Sequence, residues 1–263
     1  MCPTALITGA SQGIGKATAL LFARKGYNLV ITARTKDRLE SVAEEIRSLG
    51  TQALAITTDV SDRSAVEALV NLGIERFSQI DVLINNAGVC MTAPMAKTTI
   101  EDWQKIINVN LWGYIYTINT LLPHFIARKQ GKIINVGSFG GKIPLPNMTA
   151  YCTSKYAITG LTETLRIELE PQGIQVSGIH PSVTNSDFME RAVFRDSDPE
   201  QMKQMLSSPL TSQPEDVAQA IWDAVKHSQA EVIVGSAKVP TVLHRLFPGI
   251  TQGMMQLANK ATQ

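Results

Sequence analysis

Short apolar, β-branched runs alternate along the chain with longer segments of helical period. The runs are Ala5–Thr8, Leu29–Thr32, Ala53–Thr57, Val82–Asn85, Lys132–Val136, Gln175–Ile179 and Glu231–Val234. Between them lie Ile14–Lys25, Arg38–Leu49, Ser64–Phe77 and Thr153–Leu169. In the second of these, Leu39, Val42, Ala43, Ile46 and Leu49 recur at steps of three and four, which marks one face of a helix. Strands that are apolar throughout belong to a sheet covered on both faces. Alternating strands and helices with right-handed crossovers then predict an α/β fold with a doubly wound parallel sheet of about seven strands. The least regular stretch is 182–214, and an irregular segment of that length in a compact domain reads as a functional lid.

The chain has 263 residues, 44% hydrophobic and 18% charged. That suffices for one sizeable core and excludes disorder as the main state. The expected organisation is a catalytic domain over 1–240, lid included, followed by a tail over 241–263. The net charge of +1 argues against bulk binding to nucleic acid or to anionic membrane, although a local patch stays open. Three scattered cysteines, Cys2, Cys90 and Cys152, make neither a disulfide framework nor a metal site, and point to a reducing, cytoplasmic setting. The opening Met1–Gly9 reads as a first strand and not as a signal peptide.

Thr8-Gly9-Ala10-Ser11-Gln12-Gly13-Ile14-Gly15 joins the first strand to the first helix. Its glycines allow a tight turn and a close approach by a ligand. Free N–H groups and the dipole at the helix start favour a phosphate. The position directly after the first strand is where a doubly wound sheet holds a dinucleotide.

Two further motifs follow in order: Asn85-Asn86-Ala87-Gly88, then Tyr151-x-x-x-Lys155. Together with Thr8-Gly9-x-x-x-Gly13-x-Gly15 they resemble the short-chain dehydrogenase/reductase family, from about Pro3 to about Ser236. The resemblance implies a single Rossmann-type domain, a nicotinamide cofactor, and hydride transfer to or from a carbonyl or alcohol. It also implies a homodimer or homotetramer built on helices near Thr99–Arg128 and Thr153–Leu169.

Cofactor preference is read at the end of the second strand. An acidic residue there would bind a ribose 2′-hydroxyl and repel a 2′-phosphate. This chain has Ala33 followed by Arg34, whose guanidinium suits a phosphate. Ser11 and Arg38 are further candidates for the same group. NADPH is therefore expected, with NADH the weaker alternative, even though Gln12 stands where NADP-dependent relatives often carry a basic residue. The resemblance assigns Asp59 to the adenine amino group with Val60 alongside; its bland alternative is an N-cap near Ser61. Asn86, Ala87 and Gly88 are placed beside the ribose, and Asn85 reads at least equally well as a tie between strands. Gly9, Gln12, Gly13, Ile14 and Gly15 complete the phosphate turn.

Tyr151 and Lys155, four apart on a helix, share a face. Reduction of a carbonyl needs a proton donor, and a free tyrosine, with a pKa near 10, is a poor one near neutrality. An adjacent ammonium favours the phenolate and lowers that pKa. Lys155 also fits the ribose hydroxyls. Ser138, thirteen residues before Tyr151, matches the family's spacing and would orient the substrate oxygen. Asn110 fits the fourth catalytic member, a mid-helix asparagine at a bend or bound water, with Asn108 as its rival. Pro181, Thr184 and Ser186 lie in a segment resembling the one that binds the nicotinamide carboxamide, with Ser182 replacing a glycine. His180 reads as a satisfied strand-end residue. No metal is expected.

The pocket is expected from Phe139, Leu145, Met148 and Phe188, with Met91 and Val193 among other apolar neighbours. An uncharged hydrophobic ketone or aldehyde is the expected substrate, the reverse oxidation of an alcohol being equally open to the chemistry. A 3-oxoacyl-carrier-protein reductase is the runner-up, and a dinucleotide-binding regulator without turnover is the alternative of another class. The tail carries Leu243, Leu246, Phe247, Ile250, Met254, Met255 and Leu257 at partly helical spacing, broken by Pro248-Gly249. A subunit interface, a cap on the cleft and a membrane contact are its possible roles. The membrane ranks last, because only Lys238, His244, Arg245 and Lys260 are basic.

Overall fold

The structure is a computed structural model that describes residues 2–185, 192–195 and 211–261, with side chains to residue 257. The main sheet holds β1 (Thr4–Thr8), β2 (Asn28–Ala33), β3 (Ala53–Thr57), β4 (Val82–Asn85), β6 (Gly131–Val136), β7 (Ile174–Pro181) and β9 (Glu231–Val234). Its order is β3-β2-β1-β4-β6-β7-β9, and every pairing is parallel. The seven strands lie where the apolar runs placed them. The order reverses between β1 and β4, and this switch point opens a crevice at the strands' C-terminal ends.

Alternate strand residues serve opposite layers. Ala5, Ile7, Leu29 and Ile31 face α1 (Gly13–Arg24), α2 (Lys36–Ser48) and α7 (Pro214–His227), packing with Phe22, Val42, Ile46 and Ile221. Leu6, Val30, Leu83 and Ile133 face α3 (Arg63–Phe77), α5 (Gly113–Arg128) and α6 (Thr149–Leu169), packing with Leu69, Leu121, Phe125 and Leu169. Burying a side chain such as Phe22 contributes about 2 kcal/mol. Phe22, Tyr27 and Trp222 form an edge-to-face triad, with centroids 5.1 to 5.9 Å apart, that clamps α1 to α7.

A buried polar chain crosses the sheet's middle. Thr117 Oγ1 donates to Asn85 Oδ1 at 2.6 Å, Asn85 Nδ2 to Asn135 Oδ1 at 3.0 Å, and Asn135 Nδ2 to Thr162 Oγ1 at 3.0 Å. Asn85 is thus the tie between strands that the sequence left open.

Three local features differ from the expectations. Helix α6 starts at Thr149, a turn before Thr153. Asp62 rather than Asp59 caps α3, accepting from the Ser64 and Ala65 amides. A second, two-stranded parallel sheet pairs β5 (Met91–Thr92) with β8 (Val193–Phe194), pieces too short to show a period. Past β9 the chain forms α8 (Lys238–Leu246) and α9 (Pro248–Ala261), with Pro248 opening the second helix, a position its fixed φ suits.

Candidate active site

The glycine turn sits directly beside the end of β4. Gly9 has φ +68°, and a Cβ there would come within 2.9 Å of the Ala87 Cα. A Cβ on Gly15 would collide with the Gly9 carbonyl oxygen. Thr8 Oγ1 accepts from the amides of Asn86 and Ala87 at 3.0 Å each, and Asn86 Nδ2 donates to the carbonyls of Thr8 and Gly9 at 3.0 and 3.2 Å. The Asn86 Nδ2 thus helps shape the turn. Helix α1 starts from this turn with no side-chain cap and no acidic residue in its first turn, whereas α3, α4 (Ile100–Ile107) and α7 are capped by Asp62, Thr99 and Gln213. Its first N–H groups stay available at the crevice.

Arg34 is exposed past the end of β2 and borders a small pocket with Cys90, Met91, Asp102, Ile106 and Val193. Arg38 reaches back from α2 and donates to Gln12 Oε1 at 2.6 Å. A guanidinium thereby stands at the glycine turn, where the sequence at position 12 supplies no charge of its own. Exposed Asp59 folds an Asx turn, accepting from the Ser61 amide at 2.9 Å and the Ser61 hydroxyl at 2.7 Å. Val60 is buried against Val66 and Val109.

Ser138, Tyr151 and Lys155 come together beyond β6, all buried. The Ser138 hydroxyl accepts from the Gly140 amide at 3.1 Å and hydrogen-bonds the Tyr151 phenol. Lys155 Nζ donates to the Val136 carbonyl oxygen at 3.0 Å and lies over the rings of Tyr114 and Tyr151, 5.6 and 5.9 Å from their centroids. Burial pushes the Tyr151 phenol well above the usual tyrosine range; neighbouring Cys90 adds to this and the Ser138 hydrogen bond opposes it. The expectation that Lys155 lowers this phenol is not met. The ammonium is turned to a carbonyl, and burial brings its own pKa down to about 8. Burial likewise pushes the Cys90 thiol up to about 12, so this buried thiol is not a thiolate nucleophile.

Asn110 is separated from its rival by burial, since Asn108 is exposed and Asn110 is fully enclosed. Between α4 and α5 the helix widens into a π-turn over Asn108–Trp112, the bend that a mid-helix asparagine suggested. Asn110 Oδ1 accepts from the Val89 amide at 2.8 Å, and Nδ2 donates to the Val89 carbonyl at 2.9 Å and to Ser154 Oγ at 3.0 Å. Ser154 in turn donates to the Tyr151 carbonyl at 2.7 Å.

Pro181 is buried at the end of β7. The Ser182 hydroxyl lies 3.0 Å from that of Ser212, and Gly235, at φ +80°, leaves the room both need. Thr184 bridges to Ser212 and donates to the Ser182 carbonyl at 3.1 Å. Ser186 and Phe188 lie outside the described residues. Phe139, Leu145 and Met148 are half-buried on the loop between β6 and α6. His180 is only half satisfied: Nε2 meets Glu231 Oε1 at 3.1 Å, while Nδ1 is buried without a partner beside Gly137.

The sequence reading missed how the pocket closes. Val193 and Arg195 amides donate to the carbonyls of Cys90 and Thr92 at 3.1 and 3.0 Å, and the Arg195 guanidinium pairs with Asp102 at 3.0 Å. Only the apolar character of Met91 and Val193 hinted at this. Among the described residues no cluster of metal-ligating side chains occurs and no helix is long and apolar enough to cross a membrane.

The family model described as short chain dehydrogenase matches residues 3–197. An uncharacterized oxidoreductase of Listeria monocytogenes is 35% identical over 84% of this chain and 89% of its own length. A 3-oxoacyl-[acyl-carrier-protein] reductase of Thermotoga maritima is 34% identical over 82% of this chain and 87% of its own. A short-chain dehydrogenase from Sphingobium yanoikuyae in complex with NADPH superposes with a TM-score of 0.80 at 29% identity, covering 97% of this chain and 95% of that one. A short-chain dehydrogenase/reductase from Burkholderia phymatum in complex with NAD gives a TM-score of 0.82 at 26% identity, covering 88% of each chain.

Proposed function

We propose that this chain, which belongs to the short-chain dehydrogenase/reductase family and is an oxidoreductase, is an NADPH-dependent reductase of hydrophobic ketones or aldehydes. The observation that carries this reading is the buried triad: the Tyr151 phenol hydrogen-bonded to Ser138, with Lys155 over its ring. A dinucleotide fits the residues at the switch point. The uncapped start of α1, the left-handed turn at Gly9 and the half-buried Ser11, Gln12, Gly13 and Ile14 suit a pyrophosphate. Arg34 and Arg38, with no acid at the end of β2, suit a 2′-phosphate, which favours NADPH over NADH. Asp59, Val60, Ala87 and Gly88 would line the adenosine and ribose, and Pro181 and Thr184 the nicotinamide.

When bound, the reduced nicotinamide supplies the hydride. Ser138 donates a hydrogen bond to the substrate oxygen and fixes its position. Tyr151 transfers its phenolic proton to that oxygen, so carbonyl, hydride and proton together give the alcohol. Lys155 holds positive charge beside the resulting phenolate. Asn110 fixes the helix that carries both residues. The half-buried apolar loop of Phe139, Leu145 and Met148 favours an uncharged substrate. The similarity to 3-oxoacyl-carrier-protein reductases supports a second reading, in which the ketone is a carrier-bound 3-oxoacyl thioester. Exposed Trp112, Tyr156 and Ile167 on the π-turn and α6 support a homo-oligomer, and the unpaired cysteines suit a cytoplasmic setting.

The test is loss of reduced-nicotinamide absorbance with NADPH or NADH and a panel of hydrophobic ketones, aldehydes and acetoacetyl thioesters. Turnover that disappears in Tyr151→Phe supports the reductase. Tight NADPH binding without turnover across the panel favours a regulator instead.

A further inference from the structure

Past Glu231 the chain contains no acidic residue, while Lys238, Arg245 and Lys260 are basic. The remainder carries 21 basic residues against 23 acidic ones, so a chain of net charge +1 has its positive excess at one end. The same end exposes its apolar residues. Val239, Val242 and Leu246 of α8, Phe247 at the junction, and Ile250, Met254 and Leu257 of α9 are each more than half exposed. At about 100° per residue, 239, 242 and 246 share one face of α8, and 250, 254 and 257 share one face of α9. Lys238 and Arg245, seven apart, lie together along one flank of the α8 apolar face. The two helices are joined by a 2.6 Å contact between His244 Nδ1 and Thr251 Oγ1 and by buried Thr251.

We propose that α8 and α9 form a lipid-binding element that seats the enzyme on an anionic membrane surface. Apolar residues on one face with cations at its flank match a helix lying in the interface plane, its apolar side sunk by about 5–10 Å and its basic side chains reaching headgroup phosphates. At 9 and 14 residues the helices fall short of the ~20 needed to span a bilayer, so they lie on it. A second copy of the tail is a poorer occupant, because it brings the same cations and no acidic side chain to meet them. The composition alone ranked a membrane last; the exposure of all seven apolar side chains changes that order. The proposal is independent of the substrate.

The full-length chain should float with vesicles of mixed phosphatidylglycerol and phosphatidylcholine, stay behind with phosphatidylcholine alone, and be released by raised salt. Arg245→Ala should weaken binding about fivefold, as expected for one cation at an anionic surface. Phe247→Glu with Ile250→Glu should abolish it, while circular dichroism and the unfolding midpoint stay unchanged. Absence of flotation with either vesicle overturns the proposal. So does equal binding to neutral vesicles that Arg245→Ala leaves intact. A fall in solution mass on Phe247→Glu, without vesicle binding in the parent chain, overturns it in favour of a subunit contact.

Discussion

The Asn110 side-chain amide donates to the Ser154 hydroxyl at 3.0 Å, with both residues fully enclosed. The contact joins the π-turn to the helix of Tyr151 and Lys155, and the same asparagine holds both backbone groups of Val89. Asn110→Ala would orphan these partners, each costing about 1–3 kcal/mol where it stays dry. A loss of about 3 kcal/mol in unfolding free energy is expected, together with reduced turnover. An unfolding midpoint equal to that of the parent would show that Asn110 does not hold these helices together.

Tyr151→Phe removes the proton donor and keeps the ring. Turnover should fall by about 10²–10⁴-fold, the usual contribution of a positioned acid. Unfolding and NADPH affinity should barely change, as calorimetry can check. A variant with more than a tenth of parental turnover would remove Tyr151 from the reaction.

Arg34→Ala should raise the KM for NADPH about 10- to 100-fold, in line with one charge-assisted contact, and leave the KM for NADH unchanged. Equal effects on the two cofactors would mean that Arg34 does not read the 2′-phosphate. Arg38→Ala should act in the same direction but also loosen Gln12, its partner at 2.6 Å.

The Glu231 carboxyl is held well below its ordinary value of 4.5, at about 2, first by the His180 hydrogen bond and then by Lys142, against burial. The folded state thus takes up this proton less readily than the unfolded chain. The stabilisation is complete above pH about 4.5 and disappears as pH falls toward about 2. Glu231→Gln should lower the melting temperature at neutral pH, and the gap to the parent should close in that acidic window. A gap of constant size from pH 7 to pH 2 would assign the effect to packing.

The strands were legible because each is an uninterrupted apolar run. Lys132–Val136 and Gln175–Ile179 grew only to Gly131–Val136 and Ile174–Pro181. The three motifs of the site were legible because their residue types and order are specific. What escaped depends on contacts distant in sequence. The β5 and β8 strands have two residues each and meet across about a hundred positions. Asn86 reads as a ligand contact from its motif, and the structure adds that its Nδ2 donates to the carbonyls of Thr8 and Gly9. The phenol of Tyr151 was expected to fall through its neighbour's charge. Enclosure sets the direction instead, and spacing along a helix carries no measure of enclosure.

The buried chain Thr117–Asn85–Asn135–Thr162 has a consequence for how the sheet assembles. Val82-Leu83-Ile84 and Ile133-Ile134 are nearly interchangeable as packing surfaces, so sliding β4 by two residues along β6 would keep every apolar side chain on its proper face. The pairing of Asn85 with Asn135, with the Thr8 contacts to Asn86 and Ala87 on the other side of β4, distinguishes the native alignment, because a slid strand would strand both asparagine amides in the dry interior at about 1–3 kcal/mol each. Acting as an alignment key, these polar groups mainly exclude misaligned competitors and add little to the native state itself. The uniform greasiness that marks the strands cannot tell one alignment from the next, and buried polar pairs such as these two asparagines contribute to that choice.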